Sequence, residues 1–526
     1  AWESKNAKNA AKAGGISLMA LSLAACGGSS TTTTTATDTT TTDTTTTTTT
    51  TPAATTGALT VGVDAYAGTA GADTISGARI DLVQTWTSAD TVAGGEGVDT
   101  LNATIAANVT PATGGLTGVE NLTVTGKGAV VVDFSSATAD FITGVTHITN
   151  LASDNTIAFN NVTALAELTV NNTATGDTTT VEFKDALLAG TADTVTVNLI
   201  GAGAAVTVGT QTDADGDYET LVINATGAAS DLEAGDGLGA DATTIDVNAS
   251  VALDLGSTAA FEKITSFDAS DSTGGVTAVF GNKAAAGTTA VAITGGAGAD
   301  SFDISALTAA NHGALTVAMG AGNDTLTLGA QGAGDFTLTG GDGTDTLSIS
   351  GNPSTTKHAS ISGFETLSVN TAIASGATNT IDMAVFTGNT TFDRINLVVT
   401  TAASEGATDE IVTVSNAADA ITTLGIGALD TDDIDVNFSR LVDGTANALT
   451  VVSSAASLSE TVAMNDEETI TFNSADGAIS MATVSATDMT SLVLTGDNTV
   501  DLGTITAASL ATVDATGLAA TANGNF

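Results

Sequence analysis

The residues of this chain best placed to do chemistry are aspartates that close glycine-rich loops. Gly94-Gly95-Glu96-Gly97-Val98-Asp99-Thr100-Leu101 follows the spacing G-G-x-G-x-D-x-U, where U is a large apolar residue. Gly295-Gly296-Ala297-Gly298-Ala299-Asp300-Ser301-Phe302 and Gly340-Gly341-Asp342-Gly343-Thr344-Asp345-Thr346-Leu347 are complete copies. Met319-Gly320-Ala321-Gly322-Asn323-Asp324-Thr325-Leu326 lacks the first glycine, and Ala70-Gly71-Ala72-Asp73-Thr74-Ile75 is a partial copy. Glycine lets the backbone turn tightly and aim carbonyl oxygens where a side chain would obstruct an ion. The aspartate adds a charged oxygen, and the apolar residue two positions later starts a strand. Calcium takes about six to eight oxygens in flexible geometry, so carbonyls plus one carboxylate per turn can suffice when turns stack.

The candidate metal ligands are therefore Asp73, Asp99, Asp300, Asp324 and Asp345, with the backbone of Gly94, Gly95, Gly97, Gly295, Gly296, Gly298, Gly320, Gly322, Gly340, Gly341 and Gly343. Ca2+ is the expected cofactor. The plain alternative is a metal-free turn, but such a turn would accept Asn-Gly or Asp-Gly equally well, and the recurring copies argue against it. Asp213-Ala214-Asp215-Gly216-Asp217, followed by Glu219, is either a further ion site or an exposed hairpin tip.

Composition points the same way. The chain of 526 residues carries 58 Asp+Glu against 11 Lys+Arg, a formal charge of -47. So many carboxylates repel one another in a compact fold unless cations neutralise them. Acidity that only maintains solubility in salty surroundings is the competing explanation. Nucleic acid is excluded as a partner, because phosphate binding needs Lys and Arg to displace counterions. Catalysis is not expected. His147, His312 and His358 are scattered without an H-E-x-x-H pair, and neither a G-x-S-x-G elbow nor a phosphate loop is present. Acidic pairs are plentiful enough for a glycosidase dyad. A sugar groove, however, also needs aromatic and basic residues, and aromatics are 4% of the chain.

The N-terminus reads as an address. Lys5, Lys8 and Lys12 precede a short apolar run, Ile16 to Leu23, too brief to span a bilayer. Leu23-Ala24-Ala25-Cys26-Gly27 follows and resembles the bacterial lipobox, which implies lipid attachment at Cys26 and anchorage in the outer membrane. Cys26 is the one cysteine, so no internal disulfide forms. From Ser29 to about Thr56 the chain is nearly pure threonine, with nothing apolar to bury, and reads as a disordered, extended tether.

From Gly57 onward, runs of four to eight residues alternate Val, Ile, Leu or Phe with Thr, Ser or Asn, as in Thr194-Val195-Thr196-Val197-Asn198-Leu199. Period-two alternation predicts half-buried strands, so the fold class is all-β. An acidic residue followed by a strand recurs in Gly118-Val119-Glu120-Asn121-Leu122 and Gly363-Phe364-Glu365-Thr366-Leu367, with looser forms at Glu167, Glu219 and Glu262. Units this small must stack to bury their apolar face, which predicts a β-solenoid of the β-roll or β-helix kind. A string of β-sandwich domains is the competing architecture. Asp300, Asp324 and Asp345 are too far apart for a nine-residue roll, so a coil of about 20 residues per turn, its calcium loops stacked along one edge, is expected. The expected organisation is a signal at 1–25, a tether at 26–56, a β-repeat region at 57–285, a calcium-loop block at 286–351 and a second β-repeat region at 352–526.

The glycine-aspartate loops resemble those of the RTX family of secreted calcium-binding β-rolls. Together with the Thr, Ala and Gly richness and the Glu-then-strand units, the chain looks like bacterial S-layer proteins and large RTX adhesins. That resemblance implies calcium-dependent folding outside the cell and self-association through calcium, at the cell surface or in the extracellular space. A surface adhesin or glycan-binding module is the alternative function. One departure stands out: such proteins usually leave by a one-step channel with a C-terminal signal, whereas this chain begins with a lipoprotein-type signal. The text also still reads as repeat at Asn525-Phe526, so either the sequence is a fragment or the last strand serves as its end.

Overall fold

In strands such as Asn121–Gly126, Thr194–Ile200 and Thr220–Ala225, the apolar side chains are buried and the Thr, Asn and Val between them are half-buried. β-branched residues suit this pleated, one-sided burial. A single turn of chain cannot enclose that apolar face, so successive turns must stack. The computed structural model describes residues 53–526 except 112–113, 137, 204, 212–217, 233–237, 240–241, 257–260, 262, 282–288, 308–312, 330–335, 351–359, 374–376, 402–409, 428–433, 454–456, 520–523 and 526. These residues wind into a parallel β-solenoid. Among them, helix is confined to two short 3-10 turns, Asp185–Leu187 and Met383–Val385.

Five sheets run along the coil. The longest has 14 strands, from Thr56–Ala58 to Ile361–Ser362, and a 13-stranded sheet runs from Ser230–Asp231 to Thr512–Leu518. Two four-stranded sheets complete the early turns, starting at Ala65–Ala67 and Val130–Asp133, and an eight-stranded sheet starting at Thr378–Asp382 completes the late ones. Thr56 stands opposite Thr74 and Thr378 opposite Ile411, so one turn takes between 18 and 33 residues. The strands pair in parallel throughout, as Thr220–Ala225 does with Thr244–Ala249, and antiparallel contacts among the described residues are isolated bridges. Sandwich domains, which are antiparallel, are therefore not the architecture. Ser266–Asp268 pairs with Val291–Thr294 and Thr346–Ser350 with Thr366–Ile373, so the ladder runs unbroken across positions 285 and 351.

The interior is a continuous apolar column. Phe267, Phe280 and Phe302 stack in it with centroids 5.1 to 5.8 Å apart and near-perpendicular rings, the edge-to-face geometry that aromatic quadrupoles favour. Among the described residues, one charged pair interrupts the column. Arg440 and Glu467 are both buried; Nε donates to Oε1 at 2.5 Å and Nη2 to Oε2 at 3.0 Å. The remaining guanidinium hydrogens go to the carbonyls of Ala418, Ile421 and Ala448, and the group lies 5.1 Å from the centre of the Phe438 ring. One side chain thereby ties loops from three turns together. Burial nevertheless pushes the Glu467 carboxyl above its usual range, so its ionised form depends on this arginine.

Arg440→Ala strands a buried carboxylate and should cost about 3–5 kcal/mol. Hydrogen exchange at Ile434–Arg440 and Thr469–Asn473 reads the loss locally, and Arg440→Met combined with Glu467→Met should restore most of it.

Candidate functional site

The strands of each turn end at corners where the backbone leaves the ladder and its N–H groups need new acceptors. Carboxylates supply them. The N–H of Asp73 donates to Asp99 Oδ1 at 2.6 Å, and that of Asp99 to Glu120 Oε2 at 2.8 Å. A second series begins at Val276, whose N–H donates to Asp300 Oδ1 at 2.8 Å. Asp300 N–H then donates to Asp324 Oδ1 at 2.8 Å, Asp324 N–H to Asp345 Oδ1 at 2.9 Å, and Asp345 N–H to Glu365 Oε2 at 2.8 Å. Each aspartate is thus held by the turn before it, and all five candidate aspartates are buried.

The structure brings the candidates together in two stacks rather than along one edge. Asp73 and Asp99 sit where the chain enters strands Thr74–Gly77 and Thr100–Ile105 of the 14-stranded sheet. Asp300, Asp324 and Asp345 sit where it has left that sheet and enters Ser301–Asp303, Thr325–Leu328 and Thr346–Ser350 of the 13-stranded one. The two groups therefore occupy opposite ends of the 14-stranded sheet's strands. Each series keeps its place to its end: Glu120 precedes a strand of the first sheet, and Glu365 a strand of the second.

The glycines serve close approach as much as turning. A Cβ on Gly94 would lie 1.8 Å from Gly118 O and 2.5 Å from Asp99 Oδ2, and one on Gly340 would lie 1.9 Å from Gly363 O and 2.8 Å from Asp345 Oδ2. Gly295 meets Met319 O at 2.0 Å in the same sense, so the missing first glycine of the next loop is filled by a buried methionine whose carbonyl closes on its neighbour. Left-handed backbone is needed as well at Gly95 and Gly341, with φ of 115° and 117°.

The electrostatics separate the aspartates. Asp73 is fully used: the Thr69 N–H donates to Oδ2, and Thr55 donates to Oδ1 from both its N–H and its hydroxyl. Those bonds, the Thr69 amide first, lower its carboxyl to about 2. In the other four, burial pushes the carboxyl up, and for Asp99 the charges of Glu120 and Asp73 add to it. Asp324 is pushed up to about 7 by burial, with Asp300 and Asp345 contributing. Among the candidate aspartates, three carry a buried carboxylate oxygen that accepts no hydrogen bond, Asp99 Oδ2, Asp324 Oδ2 and Asp345 Oδ2; Asp177 Oδ2, outside the glycine-aspartate loops, is in the same condition.

A bare, buried anionic oxygen beside a main-chain carbonyl is a donor set suited to a hard cation. Asp99 Oδ2 with Gly118 O, and Asp345 Oδ2 with Gly363 O, have this character. Among the described residues, however, no three His, Cys, Asp or Glu side chains come close enough to hold a metal ion together. A cation here would rest on one carboxylate per turn and on backbone carbonyls, as the loop spacing implied.

The sequence reading did not assign the stack ends. Glu120 and Glu365 stood out in the sequence only as acidic residues ahead of a strand, and the structure makes them acceptors for the N–H groups of Asp99 and Asp345; Glu219 does the same for the Asp193 N–H at 2.9 Å. Asp90 also accepts from the preceding turn, through the Asp64 N–H at 2.8 Å. Thr55 and Thr56, assigned to the tether, belong to the first turn. Cys26, the signal, the tether up to Pro52, the acidic run Asp213–Asp217 and Glu262 lie outside the described residues.

Compared with known families and curated proteins, the chain matches no family model and no curated sequence.

Two outcomes follow from this geometry. Gly340→Ala forces a Cβ onto the backbone of the next turn and should cost about 2 kcal/mol or more by thermal melting. Asp324→Asn keeps an acceptor for the Asp300 N–H but removes the buried charge. The unfolded carboxyl titrates near 3.8 and the folded one near 7, so between those values the folded state holds more protons and stability falls as pH rises. Chelator-treated wild type should lose stability across that window, and Asp324→Asn should flatten the slope.

Proposed function

We propose that this chain is a non-catalytic structural protein of the bacterial cell surface, carried by lipid on Cys26, whose acidic coil is consolidated by calcium and then associates with further copies. The observation that carries this reading is the set of bare buried oxygens on Asp99, Asp324 and Asp345. Adjacent strands lie about 4.8 Å apart. At that spacing two unit charges in an effective dielectric of about 20 repel by about 3 kcal/mol. A stack of carboxylates therefore needs protons or cations, and at neutral pH outside the cell a divalent cation meets that need. Calcium fits the donors: it accepts carbonyl and carboxylate oxygens together, without the strict octahedron that magnesium demands. Asp99 with the Gly118 carbonyl and Asp345 with the Gly363 carbonyl would hold it, and the positive charge it supplies offsets the stacked negative charge.

A surface role agrees with the rest of the chain. The net charge of -47 keeps such a protein soluble, and the solenoid displays long faces of Thr, Ser and Asn for contact with other copies. The lipobox-like Leu23-Ala24-Ala25-Cys26 and the threonine tract that follows would place those faces away from the membrane.

The test is a calcium titration of chelator-treated protein, followed by circular dichroism and light scattering. Calcium at a hundred times its dissociation constant should add about 2.7 kcal/mol per site, seen as a rise in melting temperature. Scattering should grow in parallel, and Asp99→Asn with Asp345→Asn should blunt both. Equal melting with and without chelator would overturn the reading.

A further inference from the structure

With 58 acidic residues against 11 basic ones, an arginine on this chain is expected to meet a carboxylate, as Arg440 does. Arg394 does not. It begins strand Arg394–Thr401 of the 13-stranded sheet, half-buried on the outer face, and forms no ion pair among the described residues. Its Nε donates to Asn396 Oδ1 at 2.7 Å, which lays the guanidinium along its own strand and leaves both terminal nitrogens free of that bond.

The next turn completes the arrangement. Asn396 stands opposite Gly425, in a row where other turns carry Ser348, Ser368, Val452 and Asn473. Gly425 lies inside strand Thr423–Ile426 and is not among the residues with positive φ, so backbone conformation does not require glycine there. What the glycine leaves is room for the two side chains: a Cβ would fall 2.1 Å from Asn396 Oδ1 and 3.5 Å from Arg394 Nη2, so any larger residue would push Asn396 aside and disturb the guanidinium it holds. The missing side chain helps open a recess of about 150 Å³, lined by Ser368, Arg394, Val398, Gly425, Val452 and Asp476.

A guanidinium fork matches a planar carboxylate with two parallel hydrogen bonds. One such cation with Asp476 on the wall suits a single negative charge better than a phosphate dianion. Val398 and Val452 offer an apolar wall, while Asp476 and Ser368 offer partners for hydroxyl groups. We propose that this recess binds a sugar acid, its carboxylate on Arg394, its C–H face on the two valines and its hydroxyls on Asp476 and Ser368. The site lies beyond the last glycine-aspartate loop in sequence and does not depend on the calcium reading.

Saturation-transfer NMR and calorimetry with glucuronate and galacturonate, with glucose as the neutral control, test this on the full chain in calcium buffer. A sugar acid should bind and glucose should not. Arg394→Gln should weaken binding about tenfold or more, the worth of a charge-assisted hydrogen bond. Gly425→Ala should also weaken it by filling the recess, with circular dichroism checking that the coil is kept. Absence of binding by either acid, equal binding of glucose, or unchanged affinity in Arg394→Gln would each overturn the proposal. So would light scattering in which Arg394→Gln abolishes self-association while sugar acids do not compete, since the recess would then hold a carboxylate of a second copy.

Discussion

A parallel coil satisfies its backbone easily along the strands and poorly at the corners, where the chain turns and the ladder lapses. In this protein a carboxylate from one turn accepts the corner N–H of the turn before it, at Asp73, Asp90, Asp99, Glu219, Asp300, Asp324, Asp345 and Glu365. Such charge-assisted bonds are stronger than neutral ones, and they fix how one turn is seated on the next. Asparagine serves a related purpose on the outer face, where Asn224 donates to Asn198 at 2.8 Å and Asn248 to Asn224 at 3.3 Å.

The same device creates the molecule's main electrostatic difficulty. Carboxylates that repeat once per turn stack above one another, and burial deprives them of water. Asp73 escapes because Thr55 and Thr69 saturate it; Asp324, flanked by two like charges, does not. Glycine makes the stacking possible by letting neighbouring turns close to distances that a Cβ would forbid, and that closeness brings a carbonyl beside the bare oxygens of Asp99 and Asp345. Backbone satisfaction, glycine spacing and crowded buried carboxylates are thus three consequences of one geometry.

Charge is used differently elsewhere on the coil. At Arg440 a cation is sealed inside with its carboxylate and spends every donor on the fold. At Arg394 a cation is pinned by one amide and faces a recess on the surface. Basic residues are scarce on this chain, and these two show a structural and an available arginine within one architecture.

Much of this was written in local sequence. Alternation at Thr194–Ile200 and its like specifies a strand because side-chain direction has period two, and the weakness of any single turn specifies stacking. The aspartates at 99, 300, 324 and 345 were legible as special because glycines surround them. Sequence spacing could not say which turn each carboxylate would reach, since Asp99 meets Asp73 and Glu120 only after the intervening residues have wound once around the core. Nor could it separate the loops into two stacks, distinguish the saturated Asp73 from the bare Asp324, or bring Gly425 beside Arg394. Local pattern decides what each segment becomes; contacts between turns depend on how many residues each circuit consumes, and that varies from 18 to 33 in response to packing the whole column.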